Sequence, residues 1–259
     1  MKYEFTNETL EYEGHKFHRI RRIADGELGG WIESEENLSQ TGNCWVGGTA
    51  KVSGNARVLD DAIVSGNAKI FEGARICGSA KVCDEAWVYG KAQISGNAKV
   101  YGNAFVCDNV QVYGNAEVHN NAEVYGKAKV YGEAEVYAIA VIYGEAEVYD
   151  NAKVYGNAKV YDEAKVYGKA RVYDDAYVYD NAEIYGNAKV NGCADVKENA
   201  QVYGYSRIYG NAKVFGYAKV YGDAQIYDSA QVEGHSRVHG DAMLGKRDYM
   251  YKGDLTEYV

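Results

Sequence analysis

The chain has 259 residues, 47% of them hydrophobic, with 26 tyrosines, 30 glycines, no proline and a formal net charge of −9. Its aromatic and β-branched content excludes a disordered chain, and its residue usage is not that of an ordinary globular domain. The acidic balance, with Lys and Glu interspersed, excludes a general nucleic-acid binder, which carries a basic face. No apolar run approaches the length of a membrane-spanning helix.

The first segment, MKYEFTNETLEYEG, lacks the apolar stretch of a signal peptide, so a cytoplasmic location is expected. Leu10, Tyr12, Phe17, Ile20 and Ile23 around Glu13-Gly14 predict a short hairpin. Residues 1–43 break the pattern that follows and are expected to cap it, because an open stack of strands exposes unpaired edges. Cys44, Cys77, Cys83, Cys107 and Cys193 have no metal-ligand spacing. Cys77 and Cys83, six residues apart, are expected on different faces. This odd, scattered set fits free thiols in a reducing compartment.

From residue 44 to 244 the chain repeats itself. An aliphatic residue stands at Val46, Val52, Val58 and every sixth position to Leu244, 34 consecutive times without insertion or deletion. Two residues earlier comes a small residue, nearly always Ala, with Cys44, Val110, Ser206 and Ser236 as exceptions. Two residues later comes Gly, Asp or Glu in most hexads, then a position rich in Asn. Within A-K-V-Y the alternation has strand period, placing Ala and Val on one face and Lys and Tyr on the other. The Gly-Asn pair that follows tolerates positive φ and so makes a corner. Each hexad is therefore read as a four-residue strand and a corner. A helix is excluded, because valine at every sixth residue walks around a helix. Because the same residues must stay inside, the chain winds around one axis in three-sided coils of 18 residues. Each strand then pairs with the one 18 residues later, in about eleven coils by the strand spacing. Proline is absent because it would remove ladder donors. The last segment, residues 245–259, is expected to be a closing strand or tail.

The V-x-x-x-A-x pattern resembles the hexapeptide repeat of left-handed β-helix proteins, whose best known members are acyltransferases. The fold class expected is therefore all-β, a single-stranded left-handed parallel β-helix; the handedness comes from this resemblance and not from the period. In the opening segment, Gly29, Gly30, Trp31, Ile32, Asn37, Leu38, Ser39, Gly42, Cys44, Trp45 and Val46 resemble the corresponding positions of YdcK-like and related prophage-encoded hexapeptide-repeat proteins. Such proteins are generally labelled transferases from the repeat alone.

The resemblance implies trimers, and in the enzymes a loop inserted between coils, a histidine base, and acyl-CoA or acyl carrier protein in a groove between subunits. No loop interrupts the 34 hexads. Of the five histidines, His15 and His18 lie in the cap, and His235 and His239 near the last coil. His119 occupies an outward position usually held by Tyr, and is read either as a general base or as a surface substitution. Columns of residues 18 apart bring Glu145, Asp162, Glu163, Asp180 and Glu198 to one corner. These are either Ca²⁺ ligands or the ordinary acidic surface of an acidic chain.

Eighteen tyrosines occupy the outward position after the aliphatic residue, in three ladders: Tyr125 to Tyr179, Tyr113 to Tyr203, and Tyr137 to Tyr173. Stacked aromatics add cross-strand packing of about 0.2–1 kcal/mol per pair, and tyrosine is also enriched at interfaces. One side is more apolar than the others. Phe71, Trp87, Tyr89, Phe105, Tyr125, Val141, Tyr143 and Tyr177 lie on it, and at its border Ala138-Ile139 replaces the Gly-Asn corner. This side is expected to be a subunit interface. The sequence thus predicts a rigid structural or binding scaffold that self-associates, as a trimer by resemblance, without a cofactor, with a protein or glycan partner and no nucleic acid or membrane. The alternative is an acyl-CoA-dependent acyltransferase. A third reading, ice or polysaccharide binding along a flat face, ranks below these two, and the near absence of Thr from the repeat disfavours ice binding.

Overall fold

The computed structural model describes residues 1–257 and divides into two compact units, Met1–Gly126 and a second beginning at Lys127. The division falls at a corner inside the repeat. Each unit is built of parallel strands stacked in coils 18 residues apart, on three sheets, and no α-helix occurs among the described residues. This is an all-β solenoid.

In the first unit, β1 (Tyr3–Tyr12) and β2 (His15–Arg22) form an antiparallel hairpin turning at Glu13 and Gly14, both with positive φ. β3 (Leu28–Ile32) pairs antiparallel with β2 and parallel with Lys51–Val52, through Trp31↔Lys51 and Ile32↔Val52. It thereby joins the cap to the stack. Tyr3, Phe17 and Ile20 are buried beneath the hairpin. Leu38 bridges Val58, so Ile32, Leu38 and Val46 are the inward residues of the first coil. The start expected at residue 44 moves back accordingly. The reason is one corner, around Thr41-Gly42, that carries two extra residues and so breaks the period of six. Asn37, fully buried, holds this coil together. Its Oδ1 accepts from the backbone N–H of Glu33 (3.1 Å) and Ser34 (2.9 Å). Its Nδ2 donates to the carbonyls of Gly54 and Ala56, both at 2.9 Å.

The hexad chemistry is the same in both units. Lys165–Val166 is a representative strand, two residues long rather than the expected four. Lys165 N–H donates to the Ala182 carbonyl (2.9 Å), Tyr167 N–H to Ile184 (2.9 Å), and Lys169 N–H to Gly186 (2.6 Å). Ala170 N–H turns back to the Tyr167 carbonyl at 3.4 Å. The tyrosine therefore already opens the corner, which leaves only the Lys–Val pair extended on its own strand. In this hexad the Lys165, Tyr167 and Lys169 N–H groups are all used between coils, donors that proline would remove. Inward Val, Ile and Ala are completely buried along the stack, and each buried Val or Ile contributes about 1.5–3 kcal/mol.

The corner residue after Tyr lies at positive φ throughout. A Cβ added at Gly144 (φ 70°) would sit 2.7 Å from the backbone of Asp162. Where Asp replaces Gly, its carboxylate accepts the corner N–H of the next coil. Asp60 accepts from Gly78 (2.9 Å), Asp84 from Gly102 (3.0 Å) and Asp150 from Gly168 (3.2 Å). Asp is among the side chains that tolerate this backbone region, and it gains a charge-assisted hydrogen bond there. In the second unit the stack runs on through Tyr249–Met250, paired with Gln231–Val232, and Asp254–Leu255, paired with Arg237–Val238.

Candidate functional site

With the interior filled by Val and Ala, function falls to the outward positions. In the second unit the tyrosines stack as in-register ladders. Tyr131, Tyr149, Tyr167, Tyr185, Tyr203, Tyr221 and His239 form one, with rings 4.7–4.9 Å apart and within 6° of parallel. It extends past Tyr203, where the sequence reading stopped. Tyr137, Tyr155 and Tyr173 form a second, and Tyr143, Tyr161 and Tyr179 a third. Several hydroxyls bond to an outward residue of the following rung, as Tyr131 does to Glu147 at 3.0 Å. Burial in the ladder pushes the phenols up: Tyr167 and Tyr185 to about 12, with neighbouring carboxylate and phenol charges adding to the effect. Tyr161 and Tyr179 are raised further, first by burial.

The apolar side is built differently in each unit. In the first, Phe71 meets Trp87 edge-on at 6.4 Å and Tyr89 meets Phe105 edge-on at 5.0 Å. Trp87 and Phe105 are register partners. The Lys69 ammonium lies 3.9 Å from the Trp87 ring centroid, a cation–π contact. Cys107 is buried beside Tyr89. Burial raises its thiol to about 11 and the Tyr89 phenol to about 12. Burial also raises Tyr125. In the second unit, Ile139 is 52% exposed and Tyr177 39% exposed, whereas Val141 and Tyr143 are half-buried. Ala138 takes the corner conformation at φ 62°. It keeps the positive φ of the corner with a side chain that cannot hydrogen-bond.

His119 packs against neighbouring outward side chains. Its ring stacks on Tyr101 at 4.7 Å and 2°, and Nδ1 lies 3.2 Å from the Asn120 side-chain oxygen. It is a rung of an aromatic ladder. The acidic corner is likewise engaged by backbone. Asp180 accepts the Glu198 N–H (3.1 Å) and Glu198 accepts the Gly216 N–H (3.0 Å). The Glu145 carboxylate pairs with Lys127 at 2.7 Å, and that ammonium holds it below the usual range. Glu163 lines a shallow concavity with Glu147, Lys165 and Glu183, and Asp162 takes the corner φ of 57°. No cluster of three or more His, Cys, Asp or Glu side chains suited to a metal occurs among the described residues. All five cysteines are free, and no helix among the described residues is long and apolar enough to cross a membrane.

Two features escaped the sequence reading. In the first unit, the hairpin tip stands over a column of corners and encloses a groove of about 740 Å³ lined by Glu13, His15, Phe71, Glu72, Lys91 and Asp108, among others. His15 Nδ1 lies 3.0 Å from the Glu33 carboxylate, which also accepts the Gly54 N–H at 2.6 Å. These two bonds, His15 first, hold Glu33 below the usual carboxylate range. Tyr12 anchors the tip through its hydroxyl, which accepts from Lys69 at 2.8 Å. Nothing in the hexad pattern signals this contact, because it depends on where the hairpin folds. In the second unit, Lys169, Arg171, Lys189 and Arg207 converge on a second groove of about 440 Å³. Reading the position before the aliphatic residue at steps of 18 would have found it.

These features define a hexapeptide-repeat β-solenoid protein. Residues 50–66 and 92–108 match the YdcK β-solenoid repeat. Among solved structures, the UDP-N-acetylglucosamine O-acyltransferase of Moraxella catarrhalis RH4 is similar in fold at 11% identity and a TM-score of 0.34. The similarity covers 71% of this chain and 67% of that one. No curated protein matches the sequence.

Proposed function

We propose that the protein is a rigid binding scaffold. It associates with copies of itself, as a trimer, through the apolar side, and presents its tyrosine-rich sides to a protein or glycan partner. The observation that supports this reading is the regularity of the outward aromatics. Parallel rings at 4.7–4.9 Å through seven rungs make a fixed surface, with little side-chain freedom left to lose on contact. The stretch around Trp87 and Phe105, with Ile139, Val141 and Tyr177 in the second unit, interrupts that regularity with apolar side chains, as interaction surfaces do. The scaffold needs no cofactor.

The double substitution Trp87→Lys with Phe105→Lys tests the interface. It should shift size-exclusion elution to a smaller species than the unmodified chain. Unchanged elution would remove this side from the assembly. An acyl-CoA-dependent transferase would instead place His119 as base at a site between subunits. Weighing against it are the stacking of His119 on Tyr101 and its contact with Asn120. Acetyl-CoA at micromolar concentration should leave the thermal midpoint unchanged if the scaffold reading holds; a clear rise would favour the transferase.

A further inference from the structure

In the second unit, two columns of outward side chains obey opposite charge rules. In one, register partners alternate in sign: Lys129 against Glu147, Glu147 against Lys165, and Lys165 against Glu183. In the other, Lys153 pairs with Arg171, Arg171 with Lys189, and Lys189 with Arg207. Lys153 is compensated by Glu135 at 2.7 Å. Among the described residues, Arg171, Lys189, Arg207 and the nearby Lys169 have no ion pair within 4 Å. Like charges directly opposite on neighbouring strands are destabilising. A chain of net charge −9 has ample carboxylates for alternation, yet here it stacks four cations in succession, three of them without an ion pair among the described residues.

The cations also line a concavity. Lys169, Arg171, Lys189 and Arg207 line the groove of about 440 Å³, and Asp223 is the single carboxylate among its lining residues. Tyr205, 64% exposed, stands on one wall. On the other flank of the same ridge, Tyr173, Asn191 and Tyr209 line a smaller depression together with Lys189 and Arg207. The rungs repeat at 4.9 Å, as the adjacent Tyr155–Tyr173 pair measures. The result is one positive charge per rung, with side-chain amides to either side, the exposed ring of Tyr205 on one flank and the half-buried rings of Tyr173 and Tyr209 on the other.

We propose that this ridge is the binding site for a linear acidic glycan, a chain whose sugars carry carboxylate or sulfate groups. Its anions, carried on successive sugars, match a cation on each rung. Its hydroxyls match Asn187, Asn191 and Gln225, and a sugar face matches the exposed ring of Tyr205. A nucleic acid is the competing polyanion, and the oligothymidylate arm of the titration separates the two. The proposal deepens the scaffold reading by naming a ligand class. It concerns a site away from Trp87 and Phe105, so its test is independent of self-association.

The test is a binding titration of the full chain with oligogalacturonate, with dextran sulfate, neutral dextran and single-stranded oligothymidylate as separate arms. The expected result is saturable binding to at least one of the two acidic glycans, weakening as salt rises, and none to neutral dextran. The variant Arg171→Gln/Lys189→Gln/Arg207→Gln should bind at least tenfold more weakly. Lys129→Gln/Lys165→Gln, on the alternating column, should bind as the unmodified chain does. The single variant Lys189→Gln, expected to be at least as stable as the parent, keeps the test decisive if the triple variant misfolds. The proposal is overturned by failure to bind either acidic glycan, by equal binding of the ridge variants, or by tighter binding of oligothymidylate.

Discussion

Reversing a single charge on the cationic ridge should make the protein more stable. Lys189 is the register partner of Arg171 on one side and Arg207 on the other. Two unit charges about 5 Å apart in water interact by about 0.8 kcal/mol. Lys189→Glu turns two repulsions into two attractions, a change of about 3 kcal/mol before screening. Physiological salt, with a screening length of about 8 Å, roughly halves that figure. The entropy of holding exposed side chains takes more, leaving about 1 kcal/mol. The assay is urea unfolding followed by circular dichroism at low and physiological salt. The midpoint should rise, with the larger gain at low salt and an unchanged slope. A midpoint that falls, or a gain that does not depend on salt, would refute the reasoning. The same substitution should weaken glycan binding. Greater stability and weaker binding from one side chain would mark the ridge as retained for a ligand.

Two further predictions follow from the geometry. Asn37→Ala strips four backbone groups of their partners, the Ala56 carbonyl buried and the others part-buried, and should cost about 2–3 kcal/mol, read as a lower urea midpoint; a loss below about 1 kcal/mol would contradict the role given to Asn37. The raised phenols make the protein sensitive to alkali: between the ordinary tyrosine value near 10 and the folded values of about 12 at Tyr167 and Tyr185, the unfolded chain has lost protons that the folded chain keeps. Stability is therefore complete below pH about 10 and falls as pH rises above it. Tyrosinate absorbance should rise together with the loss of circular dichroism, and ionisation at pH about 10 with the fold intact would contradict the burial of the ladders.

The solenoid was legible because a six-residue unit repeats its whole physical content. Inward Val, small Ala and a corner residue at positive φ each leave a mark in the letters. The first coil was not legible by the same means, because two extra residues near Thr41 break the count although Ile32 and Leu38 already follow it. Strand length was misjudged because the tyrosine carbonyl closes the corner, which alternation alone does not reveal. Corner Asp was readable as a residue tolerant of positive φ, but its service to the next coil's N–H needs the 18-residue stacking made explicit. For the outward surface, the departures Trp87 and Phe105 were visible as misfits in a column. The His15–Glu33 contact was not, because two segments with no shared period meet there. The ridge at Arg171, Lys189 and Arg207 was hidden in plain composition: each is an ordinary outward cation, and only the column shows that the signs fail to alternate.

The central claim is that this solenoid acts through its outer sides, beginning with assembly along the apolar one. Sedimentation equilibrium of the full chain across a dilution series tests it most directly. The account predicts a mass three times the 28.6 kDa of one chain, falling toward a single chain only on strong dilution. A single-chain mass at every concentration would contradict it.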